Sequence, residues 1–346
     1  MPLTSSHNDV SVSAPAAWPA RFGNVTDEFA ALRSTCGVHD LPASAKIKLT
    51  GSDRVRWLNG MVTNNVRDLA AGHGVYAFLL NPQGHILGDM TAFHRGDHLL
   101  LESDKAQLEK LLATFDHYII MDDVEVATVS EQLSTLGLTG PKAAEVLKAA
   151  GIDLPEQQPL EIAEVSWQGT KISVIRGDSE TYPSYSIWIA PEHAATLRRD
   201  LVSKGALLVG QDALEIYRIA LGMPRYGKDI RERDLPQETE QARALNFSKG
   251  CYVGQEIVER IRSRGNVHRK FTGFRLSGAA CAPGTKIQAQ GKDVGEVTSS
   301  VVVPAPDGEH PVALGYVRRE LAGKKVDIAG SRAIVTELPF ADLLQR

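Results

Sequence analysis

The chain has few cysteines, and their number and spacing exclude several classes of site. Its 346 residues include only 3 cysteines, Cys36, Cys251 and Cys281, and no CxxC pair. An odd count at wide spacing argues against a disulfide framework and fits a reducing cytoplasm. Three cysteines are also too few for a four-cysteine zinc or iron–sulfur site made by this chain alone. The 10 histidines show no HxH or HExxH spacing, so we expect no metal site.

Long apolar runs are also absent from the sequence. Hydrophobic residues make up 43% and charged residues 23%, which is typical of a soluble globular protein, and no run approaches the ~20 residues of a membrane span. Residues 1–20 have no Lys or Arg and are rich in Ser, Pro and Ala, which predicts a disordered tail rather than a signal or transit peptide. We therefore expect a cytoplasmic protein of two or three domains.

Positive charge is concentrated in one part of an otherwise acidic chain. The net charge is −4, yet basic residues outnumber acidic ones between Arg218 and Arg275. Such a stretch predicts an anionic partner, either a polyglutamylated cofactor or a nucleic acid. A solvated face with local ion pairs is the alternative, because acidic residues are interleaved. Few aromatic residues accompany the arginines, so a base-stacking platform for nucleic acid is weakly supported.

Turn signals and apolar spacing predict an α+β protein. Strands over 74–80 and 86–94 flank a turn at 81–84, and apolar residues from 108 to 115 recur at helical spacing. A second unit begins near residue 130 and also mixes strands with helices. From Phe271 onward the helical pattern disappears, and short β-rich pieces separated by Gly and Pro predict a small antiparallel barrel.

The most informative stretch is residues 249–256, Lys-Gly-Cys-Tyr-Val-Gly-Gln-Glu. The apolar spacing that follows predicts a helix opening at Gly254 or Gln255, which places Cys251 close to a helix N-terminus. Free backbone N–H groups at a helix start and the charge of Lys249 favour a thiolate, and the glycines allow close approach to a ligand. Cys251 and Lys249 are therefore the candidate catalytic residues. A nucleophile, a redox centre and a transient ligand to a soft metal all remain open as roles for the sulfur.

This octapeptide resembles the signature of the YgfZ family of folate-binding proteins, which is related to the glycine-cleavage T-protein, an aminomethyltransferase. Val62-Thr63-Asn64-Asn65-Val66, the turn beginning Leu80-Asn81 and the stretch beginning Arg225-Tyr226 extend the resemblance in order along the chain. It implies a T-protein-like arrangement of three domains around a central channel. The implied organisation is a tail (1–20), an N-terminal α+β folate-binding domain (21–130), a second α+β domain carrying the signature (131–267) and a C-terminal antiparallel β-barrel (268–346).

The resemblance also implies a cofactor and the residues that bind it. The cofactor is tetrahydrofolate or a derivative of it. The residues that we expect to bind it are Asn81, Asp89, Arg225, Tyr226, Gly250, Tyr252, Gly254, Gln255 and Glu256. Gln255 and Glu256 have a second reading, as first-turn residues that complement the helix dipole.

Two positions depart from the T-protein pattern. Where that family carries Gly-Gly-x-x-Asp-Asp, this chain has Gly84-His85-Ile86-Leu87-Gly88-Asp89, so His85 replaces the second glycine and Gly88 replaces one aspartate. Glycine offers neither a proton nor a charge, which argues against efficient glycine-cleavage chemistry. Asp89 remains available for a ligand, with an outward polar residue on an alternating strand as its alternative reading.

The resemblance implies a folate-dependent accessory factor for assembly or maintenance of iron–sulfur enzymes, including enzymes that modify tRNA. Those enzymes would be its client partners. The alternatives are a true aminomethyltransferase and a non-enzymatic RNA-binding protein. Whether the chain is itself an enzyme stays open from the sequence.

Overall fold

The computed structural model describes residues 18–265 and 267–345, so the predicted tail at 1–20 lies almost wholly outside the described residues. Eleven strands form two open sheets. In chain order they are β1 (Gly37–Asp40), β2 (Ser44–Thr50), β3 (Gly74–Leu80), β4 (Ile86–His94), β5 (Leu99–Asp104), β6 (Glu125–Thr128), β7 (Ser134–Thr139), β8 (Ile162–Trp167), β9 (Thr170–Arg176), β10 (Ser184–Ile189) and β11 (Leu207–Leu208).

Six further strands close into a barrel, and helices cover the sheets. The barrel strands are β12 (Arg269–Leu276), β13 (Lys286–Ala289), β14 (Lys292–Ala305), β15 (Gly308–Arg318), β16 (Lys325–Ile328) and β17 (Ser331–Thr336). The helices are α1 (Val25–Ser34), α2 (Arg54–Met61), α3 (Leu108–Tyr118), α4 (Ala143–Ala149), α5 (Pro191–Ser203), α6 (Gln211–Ala220), α7 (Gln255–Arg264) and α8 (Ala341–Leu344). Short 3₁₀ turns include Lys105–Gln107, Pro236–Thr239 and Ala242–Ala244.

The first sheet has the order β3-β4-β5-β2-β6 and is antiparallel throughout. Its hairpin β3–β4 turns at residues 81–84, where the Gly84 amide donates to the Asn81 carbonyl and Gly84 has φ +78°. Glycine suits this left-handed conformation, as the sequence predicts. One side of the sheet packs on α2 and α3 around Leu58 and Phe115.

The second sheet has the order β11-β1-β7-β10-β9-β8 and is antiparallel except for the β1–β11 pair. Its core is filled by apolar residues of α4, α5 and the central strands, such as Leu147, Leu197 and Val174. Strand β1 belongs to this sheet although its sequence precedes the first sheet. The predicted boundary at residue 130 therefore cuts across a sheet, because residues 37–40 pair with residues 136–139.

The barrel is closed in the order β12-β15-β14-β13-β16-β17, and β17 pairs back to β12. The prediction of a C-terminal antiparallel barrel is confirmed. A shared apolar core joins the barrel to α1, α6 and α8 and includes Phe29, Tyr217 and Tyr316. A smaller apolar group, with Phe93 of the first sheet against Trp188 of the second, joins the two sheets.

Candidate functional site

The loop that carries Cys251 is held on the first sheet by Lys249. The Lys249 Nζ atom donates to the backbone oxygens of Asn59, Val62 and Asn64 at 2.5, 2.6 and 2.9 Å. Burial, with a smaller contribution from the Arg67 guanidinium, lowers the pKa of Lys249 to about 7. The three carbonyls oppose this effect, because they match the three donors of the ammonium, whereas a neutral amine would turn its lone pair toward one of them.

These three carbonyl acceptors form a cage around the Lys249 ammonium, and the cage changes the role that the sequence assigns to Lys249. The sequence interpretation places its charge beside the Cys251 sulfur as a catalytic group. In the structure its donors are committed to the backbone between residues 59 and 64. Lys249 therefore fixes the position of the signature loop, which lies against the Val62–Val66 motif that the sequence singles out separately.

Gly254 brings the signature into close contact with the β3–β4 turn. It has φ +81°, and a Cβ atom added there would lie 2.5 Å from the Asn81 carbonyl oxygen. On the other side of the contact, a Cβ atom on Gly84 would lie 2.7 Å from Ile257 of α7. Helix α7 begins at Gln255, as the sequence predicts. The two glycines therefore allow the turn and the helix to pack without a gap.

Cys251 is the exposed cysteine of the three. Cys36 is buried in the core of the second sheet, where burial raises the pKa of its thiol to about 12. Cys281 is half-buried beside the barrel core. Arg67 approaches the loop next to Cys251, with its guanidinium 3.8 Å from the position of a Cβ atom on Gly250. Cys251 is therefore the most accessible of the three cysteines, and the residue before it lies next to a cation.

Asp89 is held by two donors in a largely buried setting. Its Oδ2 atom accepts from the Tyr76 hydroxyl at 2.6 Å, and its Oδ1 atom accepts from the Gln107 amide at 2.7 Å. The Gln107 oxygen accepts from the Asp89 backbone N–H at 2.9 Å, so the Gln107 side chain binds both the backbone and the carboxylate of Asp89. Burial raises the pKa of Asp89, and the two hydrogen bonds oppose that rise. The alternative interpretation of Asp89, as a polar residue that faces solvent from an alternating strand, does not describe this environment.

Gln107 also explains why position 88 carries no acid. A Cβ atom on Gly88 would lie 3.0 Å from the Gln107 oxygen and 3.0 Å from Leu111. A carboxylate there would displace both side chains and would itself be buried. The departure from the T-protein pattern is therefore accompanied by a side chain that fills the space.

A cation covers the Tyr76 ring. The Arg243 guanidinium carbon lies 4.4 Å from the centre of that ring, and Arg243 forms an ion pair with Asp178 in the β9–β10 connection. About a third of the Arg243 side chain is exposed, so it separates Tyr76 from solvent while it remains accessible itself. The Asp89 site therefore combines groups from both open sheets and from the segment before the signature.

The Arg225-Tyr226 stretch contributes one side chain to this region. The Tyr226 hydroxyl donates to the Leu87 carbonyl at 2.5 Å and accepts from Lys110 at 3.0 Å. The side chain of Arg225 is mostly exposed and lies 3.6 Å from Glu215 of α6. Tyr226 therefore lies close to the strand that carries Asp89, whereas the side chain of Arg225 lies against α6.

The remaining predicted ligand residues serve mainly to build the loop and turn. Asn81 accepts from the His85 amide through its side chain, and Gln255 accepts from the Tyr252 amide at 3.3 Å. Tyr252 is buried in the apolar cluster that contains Phe78. Glu256 is exposed at the start of α7. These positions shape the surface around Cys251, and their contact with a ligand stays a prediction.

Ion pairs occupy much of the basic stretch. Arg269 pairs with Asp234 and Glu238, and Arg275 pairs with Asp342. Arg262 pairs with Glu259 and stacks on Phe247. The alternative of local ion pairs therefore accounts for most of the arginines in this stretch whose side chains are described.

The central channel stays a prediction. A cavity of about 460 Å³ lies between α1, α6 and the barrel, with Val25, Ile216 and Val301 among its lining residues, and it includes none of the predicted site residues. In the described parts of the chain, no cluster of three His, Cys, Asp or Glu side chains is placed to hold a metal. No helix among the described residues is long and apolar enough to span a membrane.

Sequence reasoning missed Tyr76, Gln107 and Arg243. Tyr76 had a readable signal, because strands 74–80 and 86–94 form one hairpin and a tyrosine in the first strand can reach an acid in the second. Gln107 and Arg243 had no such signal, since each lies in a different part of the chain and is brought to Asp89 only by tertiary packing.

The fold is that of the glycine-cleavage T-protein. The aminomethyltransferase T of the glycine cleavage system from Bartonella henselae superimposes with a TM-score of 0.82 at 23% identity, over 92% of this chain and 89% of that one. The sequence matches the GCVT N-terminal domain family over residues 9–249, and the chain belongs to that family.

Curated relatives cover almost the same length. The aminomethyltransferase of Rubrobacter xylanophilus is 29% identical over 94% of this chain and 89% of its own length. A putative chloroplastic transferase of Arabidopsis thaliana is 26% identical over 92% of this chain and 74% of its own length. These likenesses support the T-protein-like family that the sequence motifs indicate.

Proposed function

We propose that this protein is a tetrahydrofolate-dependent accessory factor for assembly or maintenance of iron–sulfur enzymes, including tRNA-modifying ones, with Cys251 as its key residue. The observation that carries the proposal is the exposed Cys251 on a loop that Lys249 locks against the first sheet. A sulfur kept only for packing would be buried, as Cys36 is. The accessory role follows the signature at residues 249–256, which resembles the YgfZ family.

The Asp89 region fits the chemistry of a reduced folate. An ionised carboxylate has about four acceptor sites. Two of those of Asp89 are used by Tyr76 and Gln107, so others remain for a donor-rich pterin ring. Tyr76 and Tyr226 border the same apolar cluster and offer flat walls. Tetrahydrofolate, when bound, would supply the capacity to carry a one-carbon unit.

Each residue then has a role that its contacts support. Asp89 holds the ring through a carboxylate, and Gln107 and Tyr76 fix the orientation of that carboxylate. Lys249, Gly250 and Gly254 set the position of the sulfur. Arg67 supplies a positive charge beside the loop and favours an anionic group there.

Binding of tetrahydrofolate is tested by calorimetry on three proteins. We expect the wild type to bind and Asp89→Asn to weaken binding at least ~10-fold, since a charged hydrogen bond contributes about 1.5 to 3 kcal/mol. Asp327→Asn, at an exposed barrel position, is the matched control and should bind like the wild type. Absence of binding to the wild type would remove the folate part of the proposal.

Aminomethyl transfer is the second candidate function, because the Rubrobacter xylanophilus relative and the Bartonella henselae structure carry the name aminomethyltransferase. Gly88 and the filled space around it argue against efficient transfer. A glycine-cleavage assay reconstituted with this protein in place of the T-protein separates the two functions. We expect little turnover, and robust turnover would favour the transferase.

RNA binding is the third candidate, and the ion pairs within the basic stretch leave it the least support. Strongly salt-dependent RNA affinity would be needed to revive it.

A further inference from the structure

We propose that Arg243 is a positioning residue that acts on Asp89 through Tyr76, by holding the ring whose hydroxyl donates to the Asp89 carboxylate. The proposal deepens the proposed function, because Asp89 matters there as the acid that binds the ligand. Arg243 itself contacts Tyr76 and not Asp89 in the hydrogen-bond network. It therefore has a role that the signature motif does not assign.

The first step is the contact between Arg243 and the ring. The guanidinium carbon lies 4.4 Å from the ring centre, well within the ~6 Å range of a cation–π interaction. A cation over the face of a phenol withdraws electron density from its oxygen, so the hydroxyl becomes a stronger donor. That hydroxyl donates to Asp89 Oδ2 at 2.6 Å, the length expected for a bond to a charged acceptor.

Hydrogen bonds and an ion pair hold the Arg243 guanidinium over the Tyr76 ring. The Asn64 amide donates to the Tyr76 carbonyl at 2.8 Å and to the Arg243 carbonyl at 2.7 Å, so one side chain ties the two backbones together. Asp178 holds the guanidinium by an ion pair, and Gln241 accepts from its Nε atom at 3.2 Å. Arg243 is therefore fixed at both its backbone and its charged end.

The third step is the balance of groups around Asp89. Burial raises the pKa of Asp89, and Asp104 at the end of β5 raises it further. Tyr76 and Gln107 lower it by hydrogen bonds, and Arg243 lowers it by its charge. Tyr226, which lies near Asp89 on the next segment, is a neutral phenol whose own pKa is raised by burial. Arg243 therefore adds a positive charge to the two neutral donors that oppose the effect of burial on Asp89.

The experiment measures the titration of Asp89 directly and uses no folate. Protein with ¹³C-labelled aspartate is titrated by NMR, and the Asp89 carboxyl signal is assigned by its loss in Asp89→Asn. We expect Arg243→Gln, which keeps a polar side chain without the charge, to move the midpoint to higher pH. Arg243→Lys should restore much of the wild-type behaviour.

A matched control separates this effect from a general loss of an ion pair. Arg198 pairs with Asp40 and stacks on Trp18 at 5.3 Å, an arrangement of the same kind in another part of the molecule. Arg198→Gln should leave the Asp89 midpoint unchanged. An unchanged midpoint in Arg243→Gln as well would overturn the proposal.

The route through Tyr76 has its own test. Tyr76→Phe removes the hydroxyl and keeps the ring, so it should raise the midpoint by itself. In the Tyr76→Phe background, the further effect of Arg243→Gln should be smaller than in the wild type, as expected for residues that act in series. Equal effects in both backgrounds would mean that Arg243 acts on Asp89 by its direct charge alone and would overturn the route through Tyr76.

Failure of this proposal and failure of the proposed function are distinguishable. If the NMR midpoints shift as expected but the wild type does not bind tetrahydrofolate, only the folate role fails. If the wild type binds but the midpoints do not move, only the role of Arg243 fails.

Discussion

Lys249 and Gly88 show how far the candidate site depends on single positions. Lys249 donates hydrogen bonds to three backbone carbonyls of residues 59–64. Gly88 leaves the space that Gln107 occupies when it grips Asp89. The Lys249 side chain thereby positions the loop that carries Cys251, and the absence of a side chain at Gly88 allows Gln107 to position Asp89.

Replacing Lys249 should therefore weaken the whole loop. We expect Lys249→Met to lower the free energy of unfolding by roughly 3 kcal/mol, because buried carbonyl groups lose their donor. Urea unfolding measures the change. Lys292→Met, at an exposed barrel position, is the control and should change stability by less than ~0.5 kcal/mol. Equal stability of the two variants would show that the cage is not needed.

Restoring an acid at position 88 should not restore a T-protein site. We expect Gly88→Asp to cost roughly 1 to 3 kcal/mol of stability through overpacking against Gln107 and Leu111. It should also fail to give aminomethyl transfer in the reconstituted assay. A stable Gly88→Asp variant that gains turnover would show that one residue separates the two functions.

Individual strands and helices were largely readable from the sequence. Strands β3 and β4 occupy residues 74–80 and 86–94 as predicted, because turn residues mark their ends. Gln168 and Gly169 both have positive φ and form the turn of the β8–β9 hairpin, as a polar residue followed by glycine between two strand patterns predicts. The glycine at position 60 favours a helix end there, but α2 continues to Met61, since a single glycine near a helix end is tolerated.

Contacts between distant segments were not readable. The partners of Lys249 are backbone oxygens, which carry no sequence signal. The pairing of β1 with β7 joins segments far apart in sequence, so the local pattern of residues in either strand does not reveal it. At that pair, His39 lies opposite Gly137, where a Cβ atom would lie 2.1 Å from the imidazole ring.

The β1–β7 pair gives a prediction about pH. Burial lowers the pKa of His39 from 6.5 to about 4. At a pH between about 4 and 6.5, this histidine is protonated in the unfolded chain and neutral in the folded chain. The free energy of unfolding therefore falls as the pH falls from about 6.5 to about 4. We expect a loss of about 3 kcal/mol from this residue, at about 1.4 kcal/mol per pKa unit.

Unfolding in urea at a series of pH values measures this loss, and the variant His39→Leu should remove most of the dependence. His310, which is half-buried on the barrel beside Asp307, provides the control variant His310→Leu. A pH dependence that survives in His39→Leu would assign the loss to other groups.

The contact between α7 and the β3–β4 turn gives a second prediction for an element. Gly254→Ala should destabilise the protein, because the new methyl group would meet the Asn81 carbonyl and because φ is +81°. Gly227→Ala has the same φ but no atom within 4 Å, so it isolates the backbone strain. We expect Gly254→Ala to cost about 2 kcal/mol more in thermal or urea unfolding. Equal costs would show that the close contact is unimportant.

Across the whole molecule, buried charges attach the barrel to the segment that precedes the signature. Asp229 is fully buried and accepts from Arg218, Thr298 and Ser299 at 2.7, 2.6 and 2.7 Å. The same segment reaches the first sheet, where the Ile86 amide donates to the Asp234 carbonyl. The barrel and the first sheet are therefore linked through residues 225–240, which lead to the Cys251 loop.

Breaking this link should affect the molecule as a unit. We expect Asp229→Ala to lower the free energy of unfolding by about 3 to 5 kcal/mol, because Arg218 loses a buried partner and two hydroxyl groups lose an acceptor. Calorimetric unfolding measures the loss, with Asp327→Ala on the exposed barrel surface as the control. A loss no larger than that of the control would mean that the barrel is held by its apolar core alone.

The most direct test of the central claim is whether Cys251 is required in cells. Cells lacking this protein would be supplied with wild type, Cys251→Ala or Cys281→Ala, and the activity of an iron–sulfur tRNA-modifying enzyme would be measured by the amount of its modified nucleoside. We expect wild type and Cys281→Ala to restore the modification and Cys251→Ala, at equal protein level, to leave it absent. Full restoration by Cys251→Ala would contradict the central claim.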